Sequence, residues 1–171
     1  MTRQAFENSV MVASAIGAST NVPIHINAIA RHVGVELSNQ DWQHVGSDVP
    51  VLVNLAPAGE FLGEDFHRAG GVPAVMRALL TAGHLHGDAV TVSGLTVAEN
   101  LKDVPSADPA VIRPFHDPVT ANGGLLVLTG EPVRLRDHEN VGHYRPFPVR
   151  WPATLRRPVG VRLPRGGLRR A

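Results

Sequence analysis

Residues 2–21 read TRQAFENSVMVASAIGASTN, and this stretch decides how the fold begins. Apolar residues recur within it at the spacing of one helix face: Phe6, Val10, Ala13 and Ile16. Thr2 is a suitable N-cap for such a helix, and Gly17 is a suitable residue to end it. The stretch therefore predicts a helix between Thr2 and Gly17, followed by a short polar turn, GASTN at 17–21.

The same kinds of signal predict further helices and a few short strands. Pro23 suits the first turn of a second helix that ends at Gly34, with an apolar face of Ile26, Ile29, Ala30 and Val33. Capping boxes at Ser38–Asp41 and Thr96–Glu99 predict two more helices, and Pro73–Ala82 predicts another. Apolar runs predict short strands at residues 51–55, 89–92 and 124–128.

Length and composition are those of one ordinary folded domain. The chain has 171 residues, 43% of them hydrophobic, which is enough for a core. It has no Cys, which excludes a disulfide framework, a Cys nucleophile and an iron–sulfur cluster held by its own thiolates. No apolar run approaches the roughly 18 residues of a membrane span, so no membrane partner is expected. The N-terminal residues lack the layout of a signal peptide, so the expected compartment is the cytoplasm.

The net charge of +1 is unevenly distributed. Residues 1–130 carry net charge −6 and residues 131–171 carry +7, including ten Arg. The second segment has neither a strand nor a helix period, which is typical of a disordered basic tail. Such a tail could contact nucleic acid, but few stacking aromatics are interleaved with its arginines, so nucleic acid is not the expected partner.

Two groups of polar residues could carry chemistry, and each has a plainer interpretation. His84 and His86, with His25 or His67, could bind a metal, but no recognised zinc spacing accompanies them, so ordinary surface histidines are favoured. The cluster at 64–68 (EDFHR) could hold an acid or base, but a solvated helix end is the favoured interpretation.

The polar turn at 17–21 is the strongest candidate site. Ser19, Thr20 and Asn21 bring two hydroxyls and an amide to the start of the second helix. Together with backbone N–H groups there, they could bind a carboxylate or another anion. Simple capping of the helix is the alternative.

Residues 2–130 resemble the dihydroxy-acid/6-phosphogluconate dehydratase family. The stretches that carry the resemblance are TRQAFENSV at 2–10, GASTN at 17–21, HINAIARHVGVEL at 25–37, VLVNLAPAGEFLGEDFHRAGGVPAVM at 51–76, LHGDAVTVSGLTVAENL at 85–101, VIRP at 111–114 and GGLLVLTG at 123–130. The sequence around residues 41–43 and 63–65 is more similar to that of the sugar-acid branch, the arabinonate and xylonate dehydratases, than to that of the branch that acts in branched-chain amino-acid synthesis.

The resemblance implies an α/β fold and a hydro-lyase activity. It implies that a 2,3-dihydroxy sugar acid loses water to give a 2-keto-3-deoxy acid. In the full-length enzyme it implies an iron–sulfur cluster, Mg²⁺ and a homo-oligomer. It carries over no catalytic residue and no metal ligand to this chain, which by itself is expected to bind neither cofactor. Only Ser19, Thr20 and Asn21 lie in a family motif that would line the substrate cleft.

The resemblance also implies a division of the chain. Residues 1–102 are expected to form the helix-rich end of the large α/β domain, and 103–110 a linker. Residues 111–130 are expected to start a β-rich C-terminal domain. We expect an inactive, poorly soluble fragment of the larger enzyme. Dihydroxy-acid dehydratase proper remains an alternative, as does a non-catalytic binding or assembly module with a basic tail.

The resemblance stops abruptly after Gly130. The sugar-acid branch continues with NLFDSAIMKTSVI, whereas this chain continues with EPVRLRDHENVGH. Codons for residues 131–143 can be chosen so that reading one base later gives every residue of the family segment. We therefore expect that the reading frame has slipped near Gly130 and that 131–171 is out-of-frame translation. Met1 is likewise expected to be an internal start.

Resequencing the genomic DNA from upstream of Met1 to beyond Ala171 tests this expectation. One inserted or deleted base near the codon for Gly130 should restore NLFDSAIMKTSVI, and dehydratase sequence containing Cys should run upstream of Met1. Codons at 131–143 that cannot encode the family segment in the shifted frame would contradict it.

Overall fold

The computed structural model describes residues 1–125 and residue 127. Six helices lie within this part of the chain: α1 (Arg3–Ile16), α2 (Asn21–His32), α3 (Asn39–Gly46), α4 (Gly63–Arg68), α5 (Gly71–Thr81) and α6 (Val97–Leu101). The predicted helix-rich character is confirmed for these residues. Two residues of the predicted strand at 124–128 lie outside them, and the predicted tail at 131–171 lies wholly outside.

α1 is the helix against which much of the rest packs. It contacts α2, α3 and α5. The predicted cap is confirmed, because the Thr2 hydroxyl accepts a hydrogen bond from the Ala5 N–H at 3.3 Å. Gly17 ends the helix in the left-handed region, at φ 68°, which glycine adopts without a steric penalty. α1 is buried on more than its predicted apolar face, since Asn8 and Ser14 are also buried.

Local capping signals also place the other predicted helices well. The Asp41 carboxylate accepts hydrogen bonds from the backbone N–H and the hydroxyl of Ser38, at 2.6 and 2.8 Å. Thr96 and Glu99 form a reciprocal capping box at the start of α6. The helix predicted from Pro73 begins two residues earlier, at Gly71.

The strand predicted at residues 51–55 is wrong as a regular strand. The segment is extended, and Leu52 and Val53 are buried as expected. It makes only isolated bridges, which are Val51 with Thr120, Val53 with Ile112 and Leu55 with Phe61. Pro114 and Pro118 separate Ile112 from Thr120, and because proline has no N–H donor a continuous ladder cannot form there.

The strand predicted at 89–92 is likewise wrong as a regular strand, because the segment makes one isolated bridge, Val90 with Thr96. Gly94 closes a tight turn between the two residues at φ 82°. The β content expected of an α/β domain therefore appears, in the described part of the chain, only as isolated bridges.

Two groups of buried side chains form the core. The larger lies between α1, α5, α6 and the extended segment, and includes Leu52, Val75, Leu79, Val97 and Ile112. The smaller consists of Val10, Ala13, Trp42 and Leu125. The predicted domain boundaries at 102 and 110 stay predictions. Within residues 1–125, no helix combines the length and apolar character that a membrane crossing requires.

Glycine allows three segments to meet at the C-terminal end of α1. A Cβ on Gly124 would lie 2.6 Å from Gly17 Cα, and one on Gly46 would lie 2.5 Å from Ser14 Oγ. The Gly124 N–H donates to the Ser14 carbonyl at 3.3 Å. These approaches explain why the sequence has glycine at each contact.

We expect Gly124→Ala to lower the free energy of unfolding by about 1–3 kcal/mol, because its Cβ would overlap backbone atoms that cannot move aside. Gly63→Ala is the matched control, since a Cβ there meets nothing within 4 Å. Urea unfolding followed by far-UV circular dichroism measures both. Equal stability of the two variants would contradict the close approach.

Candidate functional site

The predicted site residues lie in the turn between α1 and α2. Ser19, Thr20 and Asn21 are all exposed. The Ser19 hydroxyl accepts a hydrogen bond from the Asn21 N–H at 3.3 Å, and the Ser19 carbonyl accepts one from the Val22 N–H at 2.9 Å. Ser19, the residue before the N-cap, therefore engages the first two N–H groups of α2, whereas the N-cap residue Thr20 makes no side-chain capping hydrogen bond.

This bonding by Ser19 changes what the turn can offer a ligand. The N–H groups of Asn21 and Val22 are already bonded to Ser19, and Pro23 has none. Of the backbone N–H groups expected to contribute, those of Asn21 and Val22 are therefore engaged within the turn. The donors that remain are side chains and the N–H groups of Ser19 and Thr20, which make no hydrogen bond within residues 1–125. Within residues 1–125, the Thr20 hydroxyl and the Asn21 amide make no hydrogen bond, and the Ser19 hydroxyl can still donate its own proton.

The environment of the turn favours negative charge weakly. The first turn of α2 contains no acidic residue, so the positive end of the helix dipole is not neutralised there. Hydroxyl and amide donors beside that end suit a carboxylate or the hydroxyl groups of a polyol.

A second polar cluster runs across the surface of α1. Arg3 donates to the Asp41 carboxylate at 2.5 Å and to the Glu7 carboxylate at 2.8 Å. His86 Nε2 lies 2.7 Å from the other Glu7 oxygen. The Asp41–Arg3–Glu7–His86 chain thus ties the α3 cap and the loop after α5 to α1.

Interactions within this cluster shift the pKa values of its members. Hydrogen bonding to Arg3 lowers the pKa of Asp41 to about 2, against a usual value of 3.8. The pKa of Glu7 is also lowered, first by Arg3 and then by His86. The two carboxylates raise the pKa of Arg3. All three groups therefore stay charged at neutral pH.

Asn8 is the buried member of the same region. Its Nδ2 donates to the His86 carbonyl at 3.1 Å, and its Oδ1 accepts from the His86 N–H at 2.8 Å. Sequence reasoning missed this pair. No sequence signal indicated it, because Asn8 lies off the predicted apolar face of α1.

The histidines considered for metal binding have other neighbours. His86 bonds Glu7, and the rings of His84 and Phe115 lie 4.9 Å apart. In the described residues, no group of three His, Cys, Asp or Glu side chains is placed to hold a metal ion. The cluster at 64–68 is a solvated helix, as predicted, with Arg68 paired to Glu64 along α4.

Comparison with known proteins identifies the class. The sequence model of the dihydroxy-acid/6-phosphogluconate dehydratase N-terminal domain matches residues 1–100. This match covers more than half of the chain and includes α1, the polar turn and α2. The chain therefore belongs to the dihydroxy-acid/6-phosphogluconate dehydratase family.

Three relatives show the extent of the similarity. D-xylonate dehydratase of Caulobacter vibrioides is 51% identical over 130 residues, covering 76% of this chain and 22% of the relative. L-arabinonate dehydratase of Rhizobium leguminosarum bv. trifolii has the same identity and coverage. Dihydroxy-acid dehydratase of Microcystis aeruginosa is 49% identical over 133 residues, covering 76% of this chain and 24% of the relative. The chain thus spans less than a quarter of the length of these relatives.

The Asp41–Arg3 pair gives a prediction of pH dependence. A carboxylate whose pKa is lowered by folding stabilises the fold fully above its unfolded pKa, and the contribution is lost as the pH falls from about 4 towards 2. Asp41→Asn should remove about 1 kcal/mol at neutral pH, a discounted value because Arg3 is 40% exposed and solvent screens the pair. It should also flatten the loss of stability below pH 4.

Urea unfolding at a series of pH values measures this effect. Asp103→Asn is the control, because Asp103 is 87% exposed and lies 3.8 Å from Lys102 only. A stability profile of Asp41→Asn parallel to that of the parent chain below pH 4 would show that the pair contributes nothing.

Proposed function

We propose that this chain is part of a hydro-lyase that removes water from a 2,3-dihydroxy sugar acid to give a 2-keto-3-deoxy acid. The observation that carries the proposal is the identity of about half the residues, over 76% of the chain, to dehydratases of D-xylonate and L-arabinonate. The C2 hydrogen and the C3 hydroxyl leave together as water, and the resulting enol becomes the ketone.

Ser19, Thr20 and Asn21 are proposed to bind the substrate. A sugar acid presents a carboxylate and a row of hydroxyls, and the turn presents an amide and hydroxyl donors beside the N-terminus of α2. Because the N–H groups of Asn21 and Val22 are bonded to Ser19, the Thr20 hydroxyl and the Asn21 amide are the side-chain groups proposed to contact the substrate. Ser19 is proposed to hold the turn and to donate its remaining proton.

The cofactors of the larger enzyme do not fit the residues of this chain. An iron–sulfur cluster is ligated by thiolates, and the chain has no Cys. A Mg²⁺ site needs oxygen ligands brought together, and in residues 1–125 no cluster of three acidic or histidine side chains does so. We therefore propose that the chain by itself is inactive and that its contribution to the enzyme is substrate binding and structure.

A second substrate class is favoured by one observation. Dihydroxy-acid dehydratases match this chain almost as well as the sugar-acid enzymes, at 49–50% identity. A shorter, branched 2,3-dihydroxy acid is therefore the alternative substrate. The sugar acid is proposed as the first substrate because the sequence at residues 41–43 and 63–65 is more similar to the sugar-acid branch of the family.

A chimaera tests the proposed function. Residues 1–130 replace the matched 130 residues of the Caulobacter vibrioides D-xylonate dehydratase, and 2-keto acid formation is measured with D-xylonate, L-arabinonate and a branched 2,3-dihydroxy acid. Turnover with the sugar acids is expected. Thr20→Val and Asn21→Ala should each raise KM about tenfold or more, because each removes a hydrogen bond to the substrate.

Thr81→Val is the matched control, since Thr81 is an exposed threonine whose hydroxyl donates to the Arg77 carbonyl within α5. Its KM should equal that of the unaltered chimaera. A folded chimaera without turnover on any of the three acids would contradict the proposed activity. An unchanged KM in Thr20→Val and Asn21→Ala would contradict the proposed site alone.

A further inference from the structure

α2 carries apolar side chains on two opposite sides. Only Ala30 of its 12 residues is buried. Ile24 is 67% exposed and Ile29 is 46% exposed. At about 100° per residue, Ile24 lies opposite Ile26, which packs against the cluster around Trp42. A helix with apolar residues on opposite sides is typical of the interior of a larger protein.

The side of α2 that bears Ile24 also lines an open cavity. This cavity has a volume of about 880 Å³ and lies between α2, the Val35–Leu37 segment and the start of α3. Apolar side chains line part of it, including Ile24, Val35 and Leu37, and Arg31 is one of its charged lining residues. The cavity is therefore shaped and lined to receive a segment of polypeptide with apolar side chains.

The charged residues of α2 indicate which charge the bound segment carries. Arg3 is paired with Asp41 and Glu7, whereas Arg31 makes no ion pair within residues 1–125. α2 contains Arg31, His25 and His32 and no acidic residue. Two-fold pairing of α2 with a second copy would set these basic groups against each other. A partner with an acidic side chain is favoured instead.

The relatives are longer than this chain, and their additional polypeptide is a candidate partner for α2. The family match at residues 1–100 includes α2, and the matched 130 residues are 22% of the D-xylonate dehydratase. In the relative, this stretch is accompanied by more than three times its own length of polypeptide. We propose that the exposed sides of α2 and the adjoining cavity bind a segment of that remaining dehydratase polypeptide, with an acidic side chain set against Arg31. Such binding goes beyond the proposed function, because it needs no turnover.

Co-expression tests the interface without measuring activity. The tagged 171-residue chain is expressed with the Caulobacter vibrioides D-xylonate dehydratase that lacks the matched residues. Co-purification is expected, and Ile24→Asp and Ile29→Asp should each reduce it at least about tenfold, because each would bury an unpaired charge. Val92→Asp is the matched control, since Val92 is an exposed apolar residue away from α2. Equal losses in all three variants, or none, would overturn the proposal.

Thiol labelling gives a second measurement that does not depend on the truncated relative. Because the chain has no Cys, Ile29→Cys introduces a single thiol. Mass spectrometry identifies the labelled peptide that contains it. In the chimaera described above, labelling of Ile29→Cys should slow at least about tenfold relative to the 171-residue chain, whereas Val92→Cys serves as the reference for general accessibility. Unslowed labelling at Ile29→Cys would overturn the proposal, as would a dimer of the 171-residue chain that Ile29→Asp dissociates.

Discussion

The close approach of backbone to backbone at the C-terminal end of α1 is the constraint on which the rest of the described structure depends. Gly17 turns the chain there, and Gly46 and Gly124 come within contact distance of α1 and of the residues after it. Glycine at these positions lets α3 and the Gly123–Leu125 segment both reach the same helix end. Without that convergence, Leu125 could not join Val10 and Trp42 in the smaller core.

Helix ends could be predicted from the sequence because the interactions that set them are local. Thr2, Ser38 and Thr96 each act within three residues of their own position. The extended segment at 51–55 could not be assigned correctly, because two of its three bridges join it to residues about 60 to 70 positions away that prolines separate. Its apolar character predicted its burial, whereas its hydrogen bonding depends on distant residues that include Val111, Arg113 and Thr120.

At the candidate site, too, the local feature could be predicted from the sequence and the surrounding contacts could not. A polar GASTN turn before a helix located Ser19, Thr20 and Asn21, but it did not reveal that Ser19 would occupy the first backbone donors of α2. The exposure of α2 could not be foreseen either. Its apolar residues predicted a buried face, and among the described residues only part of that face is covered. The D-xylonate dehydratase is much longer than the matched stretch, and the proposed binding of that additional polypeptide to α2 would account for the difference.

The pairing of Asn8 with His86 has a consequence for the order in which the chain folds. Both backbone groups of His86 bond to one side chain that is 78 residues distant in sequence. Closing so long a loop costs conformational entropy that only packed apolar residues between its ends can offset. We therefore expect the Asn8–His86 contact to form after α1 and α5 have packed against the extended segment, and to fix the register of these elements rather than to initiate folding.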